Sequence, residues 1–392
     1  MTPGDPQAPF EGAYSEAYLG QAALKASSTL GSRSLSVLCR RPLQDEDRLE
    51  VADVDLVAIW QRPEELPERI TVGGSLGRVF VDILWIPASS LIDPVDAAGY
   101  MMLPHLLSES ETILTRSEQI GSMIENIKLS MYGAAIWERR IGEQINFGDA
   151  ALKEASANLD FPPAALFFLQ TAHAYYLTAL ADCLKRSVMS LLTRPMTKVR
   201  RMSAETGCGL EPILRANLHL EADPSASLAA LRRIHGAVSA RHSVRQLQGL
   251  GERTRGHYLY SISPLELEYR EAVAGALVRR RDYANANFYL RFWAYALSRC
   301  PVILEDARRG RKTSFYVPFR PLKESLQTVC PEIIEDVRVI LGGDVTSGEA
   351  EKSIDGTEAF RGLVTDQIRG RGLRLTSSRE APEARPRPQG LL

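Results

Sequence analysis

The chain has 392 residues, 45% of them apolar and 24% charged, and its formal net charge is −1. These values are typical of a globular protein, and by themselves they favour neither a nucleic-acid-binding protein nor one that lies on a membrane surface. The five cysteines are widely spaced without a C-x-x-C pair, which argues against a disulfide framework and a zinc ribbon. With no secretory signal and no membrane span in the pattern, we expect a cytoplasmic protein.

Strand patterns are confined to the first hundred residues. Three short runs rich in β-branched and aromatic residues predict strands, namely VDLVAIW (54–60), ITVGG (70–74) and VFVDILWI (79–86). The stretch SEAYLGQAALKAS ahead of them predicts an amphipathic helix. The sequence therefore predicts a small mixed α/β domain over residues 1–103.

After about residue 103 the apolar residues recur at three- and four-residue spacing, which predicts helices. The first begins in ESETILTRSEQ, near Glu109, and the next long one runs from Pro163 to about Leu192. Further helices are predicted over 196–204, 225–249, 264–281 and 283–308. The sequence from about Gly342 is rich in Gly, Ser, Glu and Arg, which predicts a mostly disordered tail. The predicted fold class is α+β, with a helical domain over 104–341 and a tail over 342–392.

Charge is unevenly distributed along the chain. Residues 1–103 contain eight Lys and Arg against fifteen Asp and Glu, whereas residues 229–320 contain seventeen against seven. An acidic part followed by a basic part fits metal and phosphate chemistry where the two meet. Solvated basic helix faces explain the same distribution equally well.

Three aspartates stand in strongly apolar strands. Asp53 and Asp55 open the strand at 54–60, and Asp82 lies within VFVDILWIP. Buried carboxylates are costly unless they are paired or bound to metal. Carboxylates on adjacent strands suit Mg²⁺, which takes a few carboxylates together with water and substrate phosphates. The alternative is that the D-x-D lies at a solvated strand end and that Asp82 pairs with an arginine.

Two Gly-Ser pairs could face these acids. Gly31–Ser32 precedes the D-x-D and would form a tight turn whose N–H groups hold phosphate. A rival alignment uses Gly74–Ser75, seven residues before Asp82. Under the rival alignment Leu84 takes the place of the second acid, which would indicate a catalytically inactive relative. The first alignment accounts for all three aspartates.

The order of these features resembles the nucleotidyltransferase superfamily with a DNA polymerase β-like fold, which has Gly-Ser, then D-x-D opening a strand, then a third acid on a neighbouring strand. The helical part resembles the domain that closes over nucleotide in antibiotic-modifying and other small-substrate members. The resemblance implies that Asp53, Asp55 and Asp82 hold two Mg²⁺ ions, with Mn²⁺ as an alternative. It implies further that Gly31 and Ser32 seat a nucleoside triphosphate such as ATP, and that pyrophosphate leaves as the nucleoside monophosphate moves to a small-molecule acceptor.

The stretch from Ser32 to Asp53 is longer than the family's loop, which predicts an insertion within VLCRRPLQDEDRLEV. Phosphate-binding lysines are expected in the helical part, at Lys185 and Lys198, where the competing interpretation is a solvated basic helix end. Runs of arginine and aromatic residues, such as RRRDYANANFYLRFW, leave open a terminal transferase acting on nucleic-acid ends.

Other classes fit the residues less well. A glycosyltransferase with a D-x-D metal motif needs a larger alternating α/β domain, and a haloacid-dehalogenase-type phosphatase needs later motifs that are not evident. A non-catalytic nucleotidyltransferase-like binding or scaffold protein remains as the alternative to an enzyme. The sequence pattern does not predict an oligomeric state.

Overall fold

A computed structural model describes residues 16–30, 34–40, 53–60, 69–74, 77–189, 191, 193–241, 247, 250, 252–311 and 321–373. The strands are β1 (Ser36–Arg40), β2 (Asp53–Trp60), β3 (Arg69–Gly74), β4 (Gly77–Pro87) and β5 (Ser110–Thr115). The helices are α1 (Glu16–Leu30), α2 (Pro94–Ala98), α3 (Leu103–Ser108), α4 (Glu118–Ser130), α5 (Ala134–Ala157), α6 (Pro162–Cys183), α7 (Met196–Thr206), α8 (Leu210–Leu218), α9 (Ser225–Ser239), α10 (Glu252–Ser261), α11 (Pro264–Arg279), α12 (Tyr283–Arg308), α13 (Leu322–Val329), α14 (Ile334–Leu341) and α15 (Ser347–Gly370). Short 3₁₀ turns occupy Ala88–Leu91 and Pro331–Ile333.

The five strands that the structure describes form one mixed sheet, in the order β3-β4-β2-β1-β5. Strands β2 and β4 are parallel neighbours, and the other neighbouring pairs are antiparallel. The predicted strands of the first hundred residues are all present, and a large helical region follows the sheet. The α+β class is therefore confirmed.

Two strands differ from the sequence-based expectation. The helix expected to begin near Glu109 is wrong for residues 110–115, which form β5 at the edge of the sheet beside β1. The segment SETILT is rich in β-branched residues, and pairing with β1 outweighs the helical spacing that follows it. Strand β1 lies inside the predicted insertion and pairs antiparallel with β2. The sheet thus continues past the expected domain boundary at residue 103.

Helices cover both faces of the sheet. On one face α1 packs its alanines, among them Ala23 and Ala26, against residues of β2 and β4 such as Leu56 and Val81. On the other face α2, α3 and α4 cover the carboxyl ends of β2 and β4, where Ile86 is buried. Residues two apart in a strand point to the same face, and adjacent residues point to opposite faces. The apolar residues of β2 and β4 therefore pack alternately against α1 on one face and against α2–α4 on the other.

The helical region is built around α6, which is apolar on almost every side and is packed by α5, α8, α14 and α15. Helices α5 and α6 approach closely at Gly148, where an added Cβ atom would overlap the ring of Tyr176. A helix that is hydrophobic all round belongs in the interior of a large protein. Within the described part of the chain, no helix has the length and apolarity to cross a membrane.

The structure corrects the predicted disorder of the tail as far as residue 373. Helix α15 buries Phe360 and Ile368 against the helical region and packs mainly on α6. A capping box begins the helix, since Thr346 accepts from the N–H of Glu349 and the Glu349 carboxylate accepts from the N–H of Thr346. The prediction rested on the polar composition and overlooked the buried positions, which recur every three or four residues. Residues 374–392 lie outside the described part.

An ion pair fastens α15 to the helical region. Arg361 donates from Nε and Nη2 to the two carboxylate oxygens of Asp149, at 2.5 and 2.8 Å, and Tyr176 donates to the same carboxylate. Because the Arg361 side chain is 40% exposed, we expect Arg361→Ala to lower the free energy of unfolding by only about 1 kcal/mol. Hydrogen exchange should become faster in α15 before it does in α6. Arg369→Ala, an exposed arginine 3.9 Å from Asp366, is the matched control and should change neither quantity.

A buried charge cluster joins the helices on the sheet to the helical region. Asp182, near the end of α6, accepts from Nε and Nη2 of Arg140 at 2.6 and 2.8 Å. His105 of α3 places Nε2 3.2 Å from the same carboxylate. Arg140 also donates from Nη1 to the carbonyl oxygens of Ala98 and Met131. The cluster therefore links α2, α3 and the end of α4 to α5 and α6.

Candidate functional site

Two of the three predicted aspartates stand side by side in the sheet. In the register of β2 and β4, Asp55 lies opposite Asp82, and Asp53 lies opposite Phe80. Arg69 of β3 occupies the register position opposite Asp82 on its other side. Directly opposed residues on neighbouring strands share one face, so the Asp55 and Asp82 carboxylates lie on the same face. The side chain of Asp53 lies outside the described residues.

The sheet face is open to solvent at this point. The side chain of Asp55 is 38% exposed, and Leu84, two residues beyond the second aspartate, is 41% exposed. Further along the same face Ile86 is buried beneath α2–α4. In the opposite direction Phe80 packs against Tyr269 of α11, with ring centroids 5.2 Å apart. The two aspartates therefore lie in an open gap between two covered regions of the sheet face, which we call the cleft.

A buried arginine neutralises one of the two carboxylates. Arg40, the last residue of β1, donates from Nη1 to Oδ2 of Asp55 at 2.8 Å. Its Nε lies 3.6 Å from Oε2 of Glu109, and its side chain is only 8% exposed. Within the described residues, Nε and Nη2 of Arg40 make no hydrogen bond. The cation that two adjacent like charges require is thus supplied in part by the protein itself.

Neither Arg40 nor Glu109 was expected at the site. One signal was available, because SVLCR is rich in strand-forming residues and comes before the D-x-D strand, with residues 41–52 between them. Strands that follow each other in sequence are often neighbours in a sheet, and β1 and β2 are antiparallel neighbours. The end of the first strand then lies beside the start of the second, which places Arg40 next to Asp55.

The thiol of Cys39, next to Arg40 in β1, packs beneath α1 on the face of the sheet opposite Asp55, and it is not a nucleophile at neutral pH. Burial raises the pKa of Cys39 to about 11, and the negative charges of Asp55 and Glu111 act in the same direction. The thiolate is the reactive form of cysteine, and at this pKa very little of it is present at pH 7. Cys39 therefore supplies no reactive thiolate next to the aspartates.

The structure describes part of only one of the two Gly-Ser pairs. Gly31 and Ser32 lie outside the described residues, so their role in seating phosphate stays a prediction. Gly74 pairs with Gly77 at the end of the β3–β4 hairpin. Asp82 is five positions beyond Gly77 along β4, which is about 16 Å at roughly 3.3 Å per residue. The rival turn is therefore remote from the paired aspartates.

The two predicted lysines have structural contacts. Lys198 donates to the hydroxyl of Ser187 at 2.8 Å and to the carbonyl oxygen of Met189, which fixes the segment after α6. The Nζ atom of Lys185 lies 5.1 Å from the ring centroid of Tyr132 and 5.0 Å from that of Trp137. Phosphate binding by either lysine stays a prediction.

A substitution at Lys185 can separate a structural role from a role in phosphate binding. It follows the end of α6 with a positive φ of 53°, a conformation that favours glycine. We expect Lys185→Gly to change the free energy of unfolding by less than about 1 kcal/mol, because relief of the left-handed backbone offsets the lost cation–π contact. Calorimetric titration with a nucleoside triphosphate is the second measurement. If Lys185 binds phosphate, affinity should fall about tenfold, and an unchanged affinity would contradict that role.

Neither a grouping of metal-binding side chains nor a comparison with known proteins assigns a function to the site. Among the side chains that the structure describes, which do not include that of Asp53, no group of three or more His, Cys, Asp or Glu residues is arranged to hold a metal ion. No protein-family model matches the chain. A comparison with curated proteins likewise finds no relative of significant similarity.

Proposed function

We propose that this chain is a Mg²⁺-dependent nucleotidyltransferase that moves a nucleoside monophosphate from a nucleoside triphosphate to a small-molecule acceptor, with release of pyrophosphate. The observation that carries the proposal is the pairing of Asp55 with Asp82 on parallel strands, at an open position of a sheet face that is covered at both ends. Like charges directly opposite each other destabilise a sheet, so their placement here supports a function that needs them.

The residues present fit a magnesium ion. Mg²⁺ prefers carboxylate oxygens together with water and phosphate oxygens. Asp55 and Asp82 would hold the ion from neighbouring strands, with Asp53 as a further ligand and Mn²⁺ as an alternative ion. When bound, the ion would supply positive charge to the phosphates of the nucleotide. Asp82 is the residue that we assign to accept the proton from the acceptor's hydroxyl or amine group.

The basic residues of the helical region support a small acceptor over a nucleic-acid end. Most of the arginines between residues 229 and 320 whose contacts are described have carboxylate partners: Arg232 with Glu271, Arg233 with Asp336, Arg241 with Glu332, Arg308 and Arg309 with Glu305, and Arg311 with Asp306. Binding to nucleic acid depends on cations that neutralise phosphates. Arginines already paired with carboxylates contribute less to such binding, so a terminal transferase is the weaker alternative.

The ion pair between Arg40 and Asp55 favours a second candidate. A carboxylate that an arginine already neutralises has less need of a metal ion, which is what a catalytically inactive binding or scaffold protein of this fold would show. Such a protein would keep its partner without binding Mg²⁺. Calorimetric titration with Mg²⁺ and Mn²⁺ separates the two, since the enzyme is expected to bind an ion and the scaffold protein is not.

The enzyme proposal is tested by pyrophosphate release. The protein is incubated with Mg²⁺, each α-labelled nucleoside triphosphate in turn, and a panel of small hydroxyl and amine acceptors. We expect release of pyrophosphate that EDTA abolishes and that is absent from the double variant Asp55→Asn, Asp82→Asn. Release that persists in the double variant would overturn the assignment of the site, and no release with any nucleotide would favour the scaffold protein.

A further inference from the structure

We propose that Arg40 is a built-in cation that takes the place of one of the two divalent ions, so that the cleft binds a single divalent ion. This inference rests on the proposed function, because it concerns the same pair of aspartates. It differs from what the resemblance to nucleotidyltransferases implies, which is two Mg²⁺ ions held by Asp53, Asp55 and Asp82.

The contact between Arg40 and Asp55 conflicts with a second ion. In the two-ion arrangement Asp55 would contribute to both ions, which requires both of its carboxylate oxygens. Its Oδ2 already accepts from Nη1 of Arg40 at 2.8 Å. An Mg²⁺ ion bound to Oδ2 at about 2.1 Å would lie at most about 5 Å from that nitrogen. Two positive charges at that distance repel each other, and the buried guanidinium has little water around it to screen its charge.

The fold holds the guanidinium of Arg40 in place, and an arginine side chain is a cation across the physiological pH range. Arg40 ends β1, whose backbone pairs with β2 on one side and with β5 on the other. Its side chain is almost fully buried, and Glu109 lies on the far side of the guanidinium with Oε2 3.6 Å from Nε. Arg40 therefore lies between two carboxylates, and both favour its present position.

The aspartates can still bind a single divalent ion. The second oxygen of Asp55 and the carboxylate of Asp82 lie on neighbouring strands in register, on the open face of the sheet. Asp53 opens the same strand two residues earlier. The positive charge of Arg40 then borders the ion-binding position, where the second ion would otherwise stand. The site thus combines one exchangeable cation with one permanent cation.

The number of bound ions tests the inference directly. Mn²⁺ has an electron paramagnetic resonance signal that broadens on binding, so a titration of the full chain followed by this signal counts the ions per chain. We expect one Mn²⁺ in the parent protein, one in Arg40→Lys, which keeps the positive charge, and two in Arg40→Gln, which removes it. Arg139→Gln is the matched control, because Arg139 is a partly exposed arginine near Asp96, and it should bind one ion.

Two results would overturn the inference: two ions in the parent protein, or no more ions in Arg40→Gln than in the parent. Circular dichroism on each variant shows that it is folded, and the parent's count decides the matter if Arg40→Gln does not fold. The outcome is distinguishable from that of the enzyme proposal. One ion in the parent and two in Arg40→Gln, without pyrophosphate release from either, would refute the activity and leave the role of Arg40 standing.

Discussion

Replacing Asp182 with asparagine is expected to lower the free energy of unfolding by about 3–5 kcal/mol, the usual cost of breaking a buried ion pair by removing one partner. Asp182 and Arg140 are both completely buried, and the carboxylate accepts two hydrogen bonds from the guanidinium. The variant leaves the Arg140 charge buried without its counter-charge. Chemical denaturation monitored by circular dichroism measures the change.

Two further variants show whether the loss comes from the unpaired charge. Glu205→Gln removes one partner of a solvent-exposed pair with Arg186, and it should cost less than about 1 kcal/mol. The double variant Arg140→Met, Asp182→Leu removes both charges and should recover much of the stability that Asp182→Asn loses, since apolar replacements of a buried pair are often close to neutral. A double variant as unstable as the single one would show that packing, and not charge, explains the effect.

The same pair makes stability sensitive to acid. Burial raises the pKa of Asp182, but the hydrogen bonds and positive charge of Arg140 lower it by more and the nearby His105 acts in the same direction, so the pKa in the folded protein lies below its ordinary value of 3.8. A group whose pKa is lowered by folding stabilises the folded protein fully when the pH is above its pKa in the unfolded state. This stabilisation is lost as the pH falls through its pKa in the folded state. The contribution of this cluster should therefore persist down to about pH 4 and disappear below it.

The parts of the fold that follow from local pattern could be predicted from sequence. Strands β2 and β4 and the helices α11 and α12 show clear apolar periodicity or apolar runs, and the structure has them near the expected bounds. Helix α6 begins where expected but ends at Cys183, well before the predicted end near Leu192. Strand β5 could not be predicted in this way, because SETILT is short and precedes a helix. Its conformation depends on pairing with β1, which is distant from it in sequence. The tail helix was missed for a different reason, since its buried residues are sparse within a polar segment.

The candidate site likewise has features that follow from local sequence pattern and features that depend on partners distant in sequence. The period of two in a strand places Asp53 and Asp55 together, and apolar surroundings single out Asp82, so the acids could be chosen from sequence. Their register could not, because it depends on the parallel pairing of β2 with β4, which β3 separates in sequence but not in the sheet. Arg40 was missed because its importance comes only from its distance to Asp55. A cation that neutralises an acid leaves no spacing signature when it lies on another strand.

Replacing Asp82 with asparagine is expected to reduce pyrophosphate release by about 10³-fold, if the cleft has the proposed activity. The change keeps the size of the side chain and leaves the ion pair between Arg40 and Asp55 intact. A bound metal ion contributes several kcal/mol of charge stabilisation, and each loss of about 1.4 kcal/mol costs a factor of ten in rate. Single-turnover release of labelled pyrophosphate measures the effect, and circular dichroism confirms that the variant is folded.

Asp366→Asn provides the matched control, because Asp366 is an exposed aspartate on α15 and its loss should leave the rate unchanged. Mn²⁺ affinity measured on the same samples adds a readout that does not depend on knowing the acceptor, and it should fall with Asp82→Asn but not with Asp366→Asn. A rate within a few-fold of the parent's in Asp82→Asn would remove Asp82 from the site. If Asp82→Asn weakens Mn²⁺ binding in a protein that releases no pyrophosphate, the aspartate pair is a metal site without the proposed chemistry.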